Sequence, residues 1–232
     1  MRPARPYRGH LPVGIVTGAS RGLGLALARS LSARGWQLVV DARTLPAAPF
    51  ELSGAVAIEG DVADPAHRRA LVEAAGERVD LLVNNASDLG PSPMPALADY
   101  PLDALERVYR VNVVAPLALA QLALPLMPEG GRILNVTSDA AVEPYEGWGG
   151  YGSSKAALEQ LTSILAAEHP ELRIYAVDPG DMRTQMHQDA FPGEDISDRP
   201  PPEESVPGLL ELIDGDLPSG RYAARSLAGA TR

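Results

Sequence analysis

A tyrosine and a lysine stand four residues apart at the start of a helical run, in the segment Tyr151-Gly152-Ser153-Ser154-Lys155. Residues at positions i and i+4 of a helix lie on one face, so we expect the Lys155 ammonium beside the Tyr151 phenol. A free tyrosine has a pKa of about 10, and a fixed positive charge nearby lowers it. Such a phenol can act near neutral pH as a general acid for a carbonyl oxygen or a general base for an alcohol. The same spacing also arises by chance at exposed helix starts, so the interpretation needs the rest of the chain.

A glycine-rich turn lies between a predicted strand at 13–17 and a predicted helix at 25–33. In such a unit Gly18 allows a tight turn, Gly22 lets the backbone approach a pyrophosphate, and Gly24 lets helix and strand pack closely. The N-terminus of the helix then faces the phosphate charge. The spacing G-x-x-x-G-x-G differs from the usual dinucleotide fingerprint, but with its flanking strand and helix it favours phosphate binding.

The second predicted strand, 36–40, leads into Asp41-Ala42-Arg43. In a dinucleotide-binding fold the adenosine ribose lies at this point. An acidic side chain here binds a ribose 2′-hydroxyl, whereas an arginine binds a 2′-phosphate. Both residue types are present, so these residues alone leave open whether a bound dinucleotide carries a 2′-hydroxyl or a 2′-phosphate.

Strands and helices alternate along the chain. Further strands are predicted at 55–59, 79–83, 132–137 and 172–177, an edge strand at 220–223, and helices at 64–77, 102–127, 151–168 and 203–213. Asp64 as N-cap and Pro65 at the first helical position mark one helix start, and Pro116 is expected to kink the long helix. The alternation predicts an α/β fold, a Rossmann-like doubly wound parallel sheet with helices on both faces.

The chain is expected to form a single domain, 1–232, without internal repeats. Residues 1–11 are predicted to be an N-terminal arm, 186–202 a flexible flap over the substrate, and 226–232 a loose tail. Two prolines in 44–54 predict a loop or a single turn there.

Three asparagines leave alternatives open. Asn84 and Asn85 follow a predicted strand, where amides either bind a ligand edge or tie neighbouring strands together. Asn112 lies in an apolar helical stretch and is either a satisfied core amide or a functional group.

Length and composition limit the classes of function. The 232 residues, 45% of them hydrophobic, suffice for one domain with a sizeable core. A net charge of −10 argues against nucleic acid and anionic membrane as general partners. The chain has no cysteine, which excludes disulfides and thiol catalysis, and its four histidines lack ligand spacing, so no metal site is predicted. No apolar run is expected to span a bilayer, and a cytoplasmic location is the expectation.

Together these features resemble the classical short-chain dehydrogenase/reductase family, from Val13 to about Met186. The similar motifs are Thr17-Gly18 with Gly22 and Gly24, Asp61-Val62, Asn84-Asn85-Ala86, Asn112, Ser138, Tyr151 with Lys155, and Pro179-Gly180. They occur in the right order, each at the expected strand end or helix, so the resemblance is specific.

The resemblance implies catalytic roles for four residues. Tyr151 would protonate the substrate oxygen as hydride reaches its carbon, and Lys155 would lower the tyrosine pKa and hold the nicotinamide ribose. Ser138 would orient the carbonyl, and Asn112 would hold a water in a proton relay to Lys155. The cofactor supplies the hydride chemistry, and the protein supplies position and electrostatics.

The resemblance also implies a nicotinamide cofactor site along one edge of the sheet. The predicted residues are Gly18, Ser20, Arg21, Gly22, Leu23 and Gly24 for the phosphates, Arg43, Asp61 and Val62 for the adenosine end, Asn85 and Ala86 for the ribose region beside it, and Tyr151, Lys155, Pro179, Gly180 and Thr184 for the nicotinamide end.

The same family pattern bears on cofactor choice. NAD-preferring relatives place an acid where Ala42 stands, whereas NADP-preferring ones place a small residue followed by an arginine, as in Ala42-Arg43. Arg21 adds a second cation. Asp41 argues against this preference, because a carboxylate placed against the ribose would repel a 2′-phosphate. Strand neighbours point to opposite faces, however, so Asp41 and Ala42 cannot both face the cofactor. NADP(H) is therefore the predicted preference, with NAD(H) as the alternative.

The chain departs from the family pattern at three places. Ser87 replaces the usual glycine, which is expected to shift the loop above the nicotinamide. The crossover after Arg43 is short, which opens the adenine side. The tail lacks the usual closing glycine-rich segment. Family members commonly pair the helices that correspond to 102–127 and 151–168, so a homodimer or homotetramer is expected.

The predicted function is NAD(P)-dependent hydride transfer between the cofactor and a small-molecule carbonyl or alcohol substrate. A non-catalytic dinucleotide-binding sensor or regulator is the alternative from another class, and isomerase or dehydratase chemistry is a smaller one. A partly apolar ketone, aldehyde or alcohol fits the residues expected to line the pocket, which are Leu89, Met94, Tyr145, Trp148, Met186 and His187. His187 could bond a substrate, but a lone surface histidine is its simpler interpretation.

Overall fold

The computed structural model describes residues 11–45, 52 and 54–228. Seven strands form one sheet in the order β3-β2-β1-β4-β5-β6-β7, and every neighbouring pair is parallel. The strands are β1 (Val13–Val16), β2 (Gln37–Ala42), β3 (Val56–Glu59), β4 (Leu81–Asn84), β5 (Arg132–Val136), β6 (Arg173–Asp178) and β7 (Gly220–Ala223). The predicted doubly wound parallel sheet is confirmed, including the edge strand.

Helices cover both faces of the sheet because its central strands are apolar on both sides. One core cluster joins the sheet to α1 and α7, and a second joins it to α2 and α4. The helices are α1 (Gly22–Ser32), α2 (Pro65–Ala75), α3 (Leu102–Tyr109), α4 (Ala115–Ala123), α5 (Gly149–Glu168), α6 (Gln185–Ala190), α7 (Val206–Asp214) and α8 (Ala224–Ala228).

The start of α2 follows the predicted capping chemistry. The Asp64 side chain accepts a hydrogen bond of 2.8 Å from the Ala66 backbone N–H, and Pro65 occupies the first turn. Both predictions are confirmed, because an N-cap carboxylate satisfies a free N–H group and proline needs no partner there.

The predicted helix at 102–127 is interrupted. A π-helical segment, Arg110–Val114, separates α3 from α4, and Pro116 lies in the first turn of α4. Pro116 has no N–H, so it cannot donate to the carbonyl of Asn112 four residues earlier. Proline therefore accounts for the irregularity at this point of the helix.

The composite helix 102–126 is long and apolar enough to cross a membrane by length and composition alone. Its α4 part, however, packs Leu119, Ala120 and Ala123 against the sheet and α2. A helix that buries one face in the core of its own domain passes the same length test, so we interpret it as a core helix.

A line of polar side chains ties α5 to the sheet. Asn84 donates to the Asn135 side-chain oxygen at 2.8 Å, and Asn135 donates to the Thr162 hydroxyl at 2.8 Å. All three residues are buried. Asn84 therefore ties neighbouring strands, which decides one alternative that the sequence left open, and the line fixes α5 against β5.

The ends of the chain are only partly described. The arm predicted at 1–11 lies outside the described residues except for Leu11, as do 46–51 and 53 of the predicted loop at 44–54 and the tail beyond 228. The first residues of the predicted tail form α8, and the predicted flap begins with α6. The mobility of 186–202 stays a prediction.

Candidate active site

The predicted pair Tyr151 and Lys155 lies on one face of α5, near its N-terminus. Lys155 Nζ is 5.4 Å from the centroid of the Tyr151 ring and donates a 2.8 Å hydrogen bond to the carbonyl of Val136. Tyr151 is 8% exposed and Lys155 2%. The helical spacing therefore brings the two groups together as predicted, and it also buries both.

Burial reverses the expected effect on the phenol. It raises the pKa of Tyr151 above its ordinary value of 10.0, with further upward contributions from the charges of Asp178 and Asp139. Hydrogen bonding with the hydroxyls of Ser87 and Ser138 acts in the opposite direction but does not overcome burial. The prediction that Lys155 sets a lowered tyrosine pKa is wrong for this structure, because desolvation disfavours the phenolate more strongly.

The pKa of Lys155 shifts in the opposite direction, downward. Burial lowers the pKa of Lys155 to about 8, and the negative charge of Glu159 opposes that change. A buried ammonium is disfavoured for the same reason as a buried phenolate. The proton of Tyr151 is therefore held tightly, while that of Lys155 exchanges closer to neutral pH.

Ser138 follows β5 at the carboxyl edge of the sheet. Its hydroxyl accepts a 3.2 Å bond from the Ala140 N–H, donates at 2.9 Å to Asp139, and is a hydrogen-bond partner of Tyr151. The strand end and the short 3-10 turn after it place this hydroxyl over the start of α5. The predicted juxtaposition of Ser138 and Tyr151 is present.

Asn112 is buried, and its side chain is fully used within the protein. Its oxygen accepts from the Ser87 hydroxyl at 3.1 Å and from the Asp88 N–H at 2.8 Å. Its amide group donates to the Asp88 carbonyl at 2.8 Å and to the Ser154 hydroxyl at 2.9 Å. The side chain thus has no capacity left for a water, so a relay through Asn112 would have to use its backbone carbonyl, to which Pro116 cannot donate.

Ser87 and Ser154 connect these groups, and no motif in the sequence pointed to this connection. Ser154 donates at 2.6 Å to the carbonyl of Tyr151 while it accepts from Asn112. Ser87 bonds Asn112 and is also a partner of the Tyr151 phenol. The departure from the family glycine at position 87 therefore adds a hydroxyl to the site.

The glycine-rich turn has the geometry expected of a phosphate cradle. Gly18 and Gly22 have positive φ angles of 66° and 56°. A Cβ at Gly24 would lie 2.5 Å from both the Gly18 carbonyl and the Asn85 amide nitrogen. A Cβ at Gly22 would meet only the Thr184 side chain, at 3.5 Å. Gly22 thus lies against the Thr184 side chain, and the residue types of the turn fit a pyrophosphate at the N-terminus of α1.

Asn85 and Ala86 hold this turn in place. The Asn85 amide donates to the carbonyls of Thr17 at 2.8 Å and Gly18 at 3.1 Å. The Ala86 N–H donates to the Thr17 hydroxyl at 3.0 Å. Both residues lie at the predicted cofactor edge, and Asn85 ties the turn to β4.

Asp41 does not face the predicted ribose site. Its buried carboxylate accepts from the Gly18 N–H at 2.7 Å and bonds His67 Nε2 at 2.9 Å. Burial raises the pKa of Asp41, and the two hydrogen bonds oppose that rise. Ala42 ends β2 on the other side, and Arg43 is exposed. The bonds of the buried Asp41 agree with the prediction that it and Ala42 point to opposite faces, and His67 is a partner that the sequence did not suggest.

The remaining predicted cofactor residues lie along the same edge. Asp61 is exposed and accepts from the Ala63 N–H at 2.8 Å, and Val62 is buried. Gly180, with φ of 74°, donates to Asp178 at 2.8 Å, and Thr184 caps α6 by accepting from the His187 N–H at 3.3 Å. Of the remaining phosphate-turn residues, Ser20 and Arg21 lie between β1 and α1, and Leu23 is the second residue of α1.

An apolar cluster surrounds the Tyr151 phenol. It contains Leu89, Met94, Trp148 and Met186 of the predicted pocket, together with Ala140 and Ala190. Tyr145 and His187 join it through ring contacts, Tyr145 with Trp148 and His187 with Phe191. Phe191 was missed because it lies in a segment whose proline and glycine content predicted only a flap.

Comparison with known proteins agrees with this geometry. Residues 12–195 match the short chain dehydrogenase family. The chain is 38% identical over 204 residues to protein FixR of Bradyrhizobium diazoefficiens, covering 79% of this chain and 71% of that one. It is 31% identical over 242 residues to benzil reductase ((S)-benzoin forming) IRC24 of Saccharomyces cerevisiae, covering 93% and 90%.

Solved structures share the fold. The crystal structure of a blue fluorescent protein from a metagenomic library, in complex with NADPH, is similar with a TM-score of 0.80 and 30% identity, covering 94% of this chain and 98% of the other. The family match over residues 12–195 spans the cofactor edge, the Tyr151 helix and every strand of the sheet except β7. The chain belongs to the short chain dehydrogenase family and is an NAD(P)-dependent oxidoreductase.

Proposed function

We propose that this protein transfers a hydride between NADP(H) and a carbonyl or alcohol, with Tyr151 as the proton-transferring group. The observation that supports the proposal is the buried Tyr151 phenol, which has Lys155 beside it and two serine hydroxyls as hydrogen-bond partners. Bound nicotinamide supplies the hydride. In reduction the carbonyl carbon gains that hydride and the oxygen takes the Tyr151 proton; oxidation is the reverse.

The protein positions the reacting oxygen between two hydroxyls. Ser138 lies at the end of β5 and shares a hydrogen bond with Tyr151, so a carbonyl oxygen placed between them would accept from both. Because the raised pKa keeps Tyr151 protonated at neutral pH, the phenol is ready to act as a donor for reduction.

After Tyr151 has given its proton to the substrate oxygen, the resulting phenolate must be protonated again. Lys155, whose pKa lies at about 8, is the group whose proton exchanges near neutral pH. We propose that the Asn112 carbonyl, which Pro116 cannot bond, holds the water that reloads Lys155. A pure cofactor-binding sensor needs neither a buried lysine nor a proton donor, which favours catalysis over that alternative.

Tyr151→Phe tests the catalytic assignment. The variant keeps the ring and its packing but removes the proton, so kcat for ketone reduction should fall about 10²- to 10⁴-fold. The affinity for NADPH, followed by fluorescence titration, should stay close to that of the parent. The matched control is Tyr222→Phe, on β7. It removes a phenol that donates to the Pro218 carbonyl. Near-parent turnover by Tyr151→Phe would refute the role.

We propose that the cofactor preference is for NADP(H). Among the described residues, the side chains of Arg21 and Arg43 bond no other residue, and both are exposed. The Asp41 carboxylate is bonded to Gly18 and His67 and is buried, so it is removed from the ribose position. Two available guanidinium groups favour a 2′-phosphate.

Arg43→Ala tests this preference. The kcat/KM for NADPH should fall at least about tenfold, because a charge-assisted contact is lost, while that for NADH should change little. Arg29→Ala, an exposed arginine at the end of α1, serves as the control. A parent enzyme that prefers NADH, or an equal loss with both cofactors, would contradict the assignment.

We further propose that the chain assembles as a homodimer or homotetramer through α3, α4 and α5. Large apolar side chains are exposed along these helices and the π-helical segment between α3 and α4, including Leu102, Val114 and Ile164. Exposed apolar residues on neighbouring helices favour an interface. A cytoplasmic location and the absence of nucleic-acid or membrane partners remain predictions from the composition.

Light scattering at micromolar concentration tests the assembly. The parent should elute with the mass of a dimer or tetramer, and Ile164→Lys should shift it toward the monomer because a charge would be buried in the interface. A monomeric parent would show that these faces only cover the sheet.

A further inference from the structure

The imidazole of His187 has a buried nitrogen without a hydrogen-bond partner. Among the described residues, Nε2 of His187 is one of four buried side-chain polar atoms that lack one. Burying such an atom unpaired is unfavourable, and buried groups of this kind normally find a partner. The position of His187 suggests what that partner is.

His187 lies on α6, the helix that begins at Thr184. Met186 and Ala190, four residues apart, pack into the apolar cluster around Tyr151. His187 neighbours Met186 in sequence and is three residues before Ala190, so it lies beside the same helical face. The histidine is therefore at the border of the reaction site.

A chain of aromatic rings connects His187 to the phenol. The Trp148 ring centroid is 5.9 Å from that of Tyr151 and 5.8 Å from that of Phe191. The Phe191 centroid is in turn 4.9 Å from that of His187. Trp148 and Phe191 thus form an aromatic wall with Tyr151 at one end and His187 at the other.

The other ring nitrogen faces a charged group. Nδ1 of His187 is 3.9 Å from an Asp181 oxygen, and Nε of Arg199 is 3.8 Å from the second oxygen of the same carboxylate. The two imidazole nitrogens point in different directions, so Nε2 is turned away from Asp181. A structural role for His187 would use Nδ1 and would leave Nε2 unexplained.

We infer that Nε2 of His187 binds a second oxygen of the substrate, and that the substrate is an aromatic ketone or aldehyde, or the matching alcohol. The reacting oxygen lies at Tyr151, the aromatic ring packs edge-to-face along Trp148 and Phe191, and a hydroxyl or carbonyl oxygen beyond the ring bonds His187. This inference rests on the proposed carbonyl–alcohol activity. A pocket with one buried polar group discriminates strongly between a substrate that satisfies that group and one that does not.

The test compares matched substrates in matched variants. The 2-, 3- and 4-hydroxyacetophenones are each paired with the corresponding methylacetophenone, which replaces the hydroxyl by a group of similar size. The kcat/KM for each with NADPH is measured in the parent, in His187→Leu and in His187→Gln. Intrinsic differences in carbonyl reactivity cancel when each substrate is compared across the variants.

For at least one isomer we expect His187→Leu to lose about tenfold or more in kcat/KM for the hydroxy substrate. The methyl partner should change less than about threefold, and His187→Gln, which keeps a hydrogen-bonding group, should restore part of the difference. Asp181→Asn removes the charge at Nδ1 without touching Nε2, so it should affect both members of a pair equally. Thermal unfolding of each variant identifies any general loss of structure.

The outcomes separate the two proposals. If the parent reduces both series and His187→Leu loses all pairs equally, the role of His187 is overturned while the proposed activity stands. If the parent reduces no ketone of either series and no other carbonyl, the proposed activity fails and this inference fails with it.

Discussion

The joint burial of Tyr151 and Lys155 is the constraint on which the rest of the site depends. Taking a phenol and an ammonium out of water disfavours the charged form of each, so it raises the pKa of Tyr151, lowers that of Lys155, and moves the two values apart. The proton therefore stays on the phenol at neutral pH, and the Lys155 ammonium releases its proton closer to neutral pH than an ordinary lysine does. Each neighbouring element either satisfies these groups or holds the helix that places them.

The surrounding polar networks hold α5 in position. The line from Asn84 through Asn135 to Thr162 fixes the middle of the helix against the sheet. Ser154 links its first turn to Asn112 at 2.9 Å. Glu159 accepts from Thr137 at 2.7 Å and pairs with Arg221 of β7 at 2.9 Å. These contacts join β4, β5, β7 and the π-helical segment to one helix, so the phenol and its partners are set by the whole sheet.

Local signals in the sequence were sufficient for much of this arrangement. The strand, glycine turn and helix at 13–33, the cap at Asp64 and the Tyr151–Lys155 spacing are each written within a few neighbouring residues. The opposite orientation of Asp41 and Ala42 also followed from strand geometry alone.

What the sequence could not supply depends on partners that are distant in the chain. The pKa of Tyr151 rises because residues from several elements exclude water, and spacing within one helix says nothing about that. Asp41 finds His67 26 residues away, and Asn112 is saturated by Ser87, Asp88 and Ser154. Phe191 joins the aromatic wall from a segment with no periodic pattern.

The pH dependence of hydride transfer in the direction of reduction tests the central claim most directly. Single-turnover oxidation of bound NADPH by a saturating ketone should be independent of pH from about 6 to 9, because the reaction requires protonated Tyr151 and burial keeps its pKa above the ordinary value of 10.0. A kinetic isotope effect with deuterated cofactor verifies that the observed step is the chemistry. A rate that falls tenfold per pH unit above pH 7 would show that the phenol titrates near neutrality, and it would contradict the account.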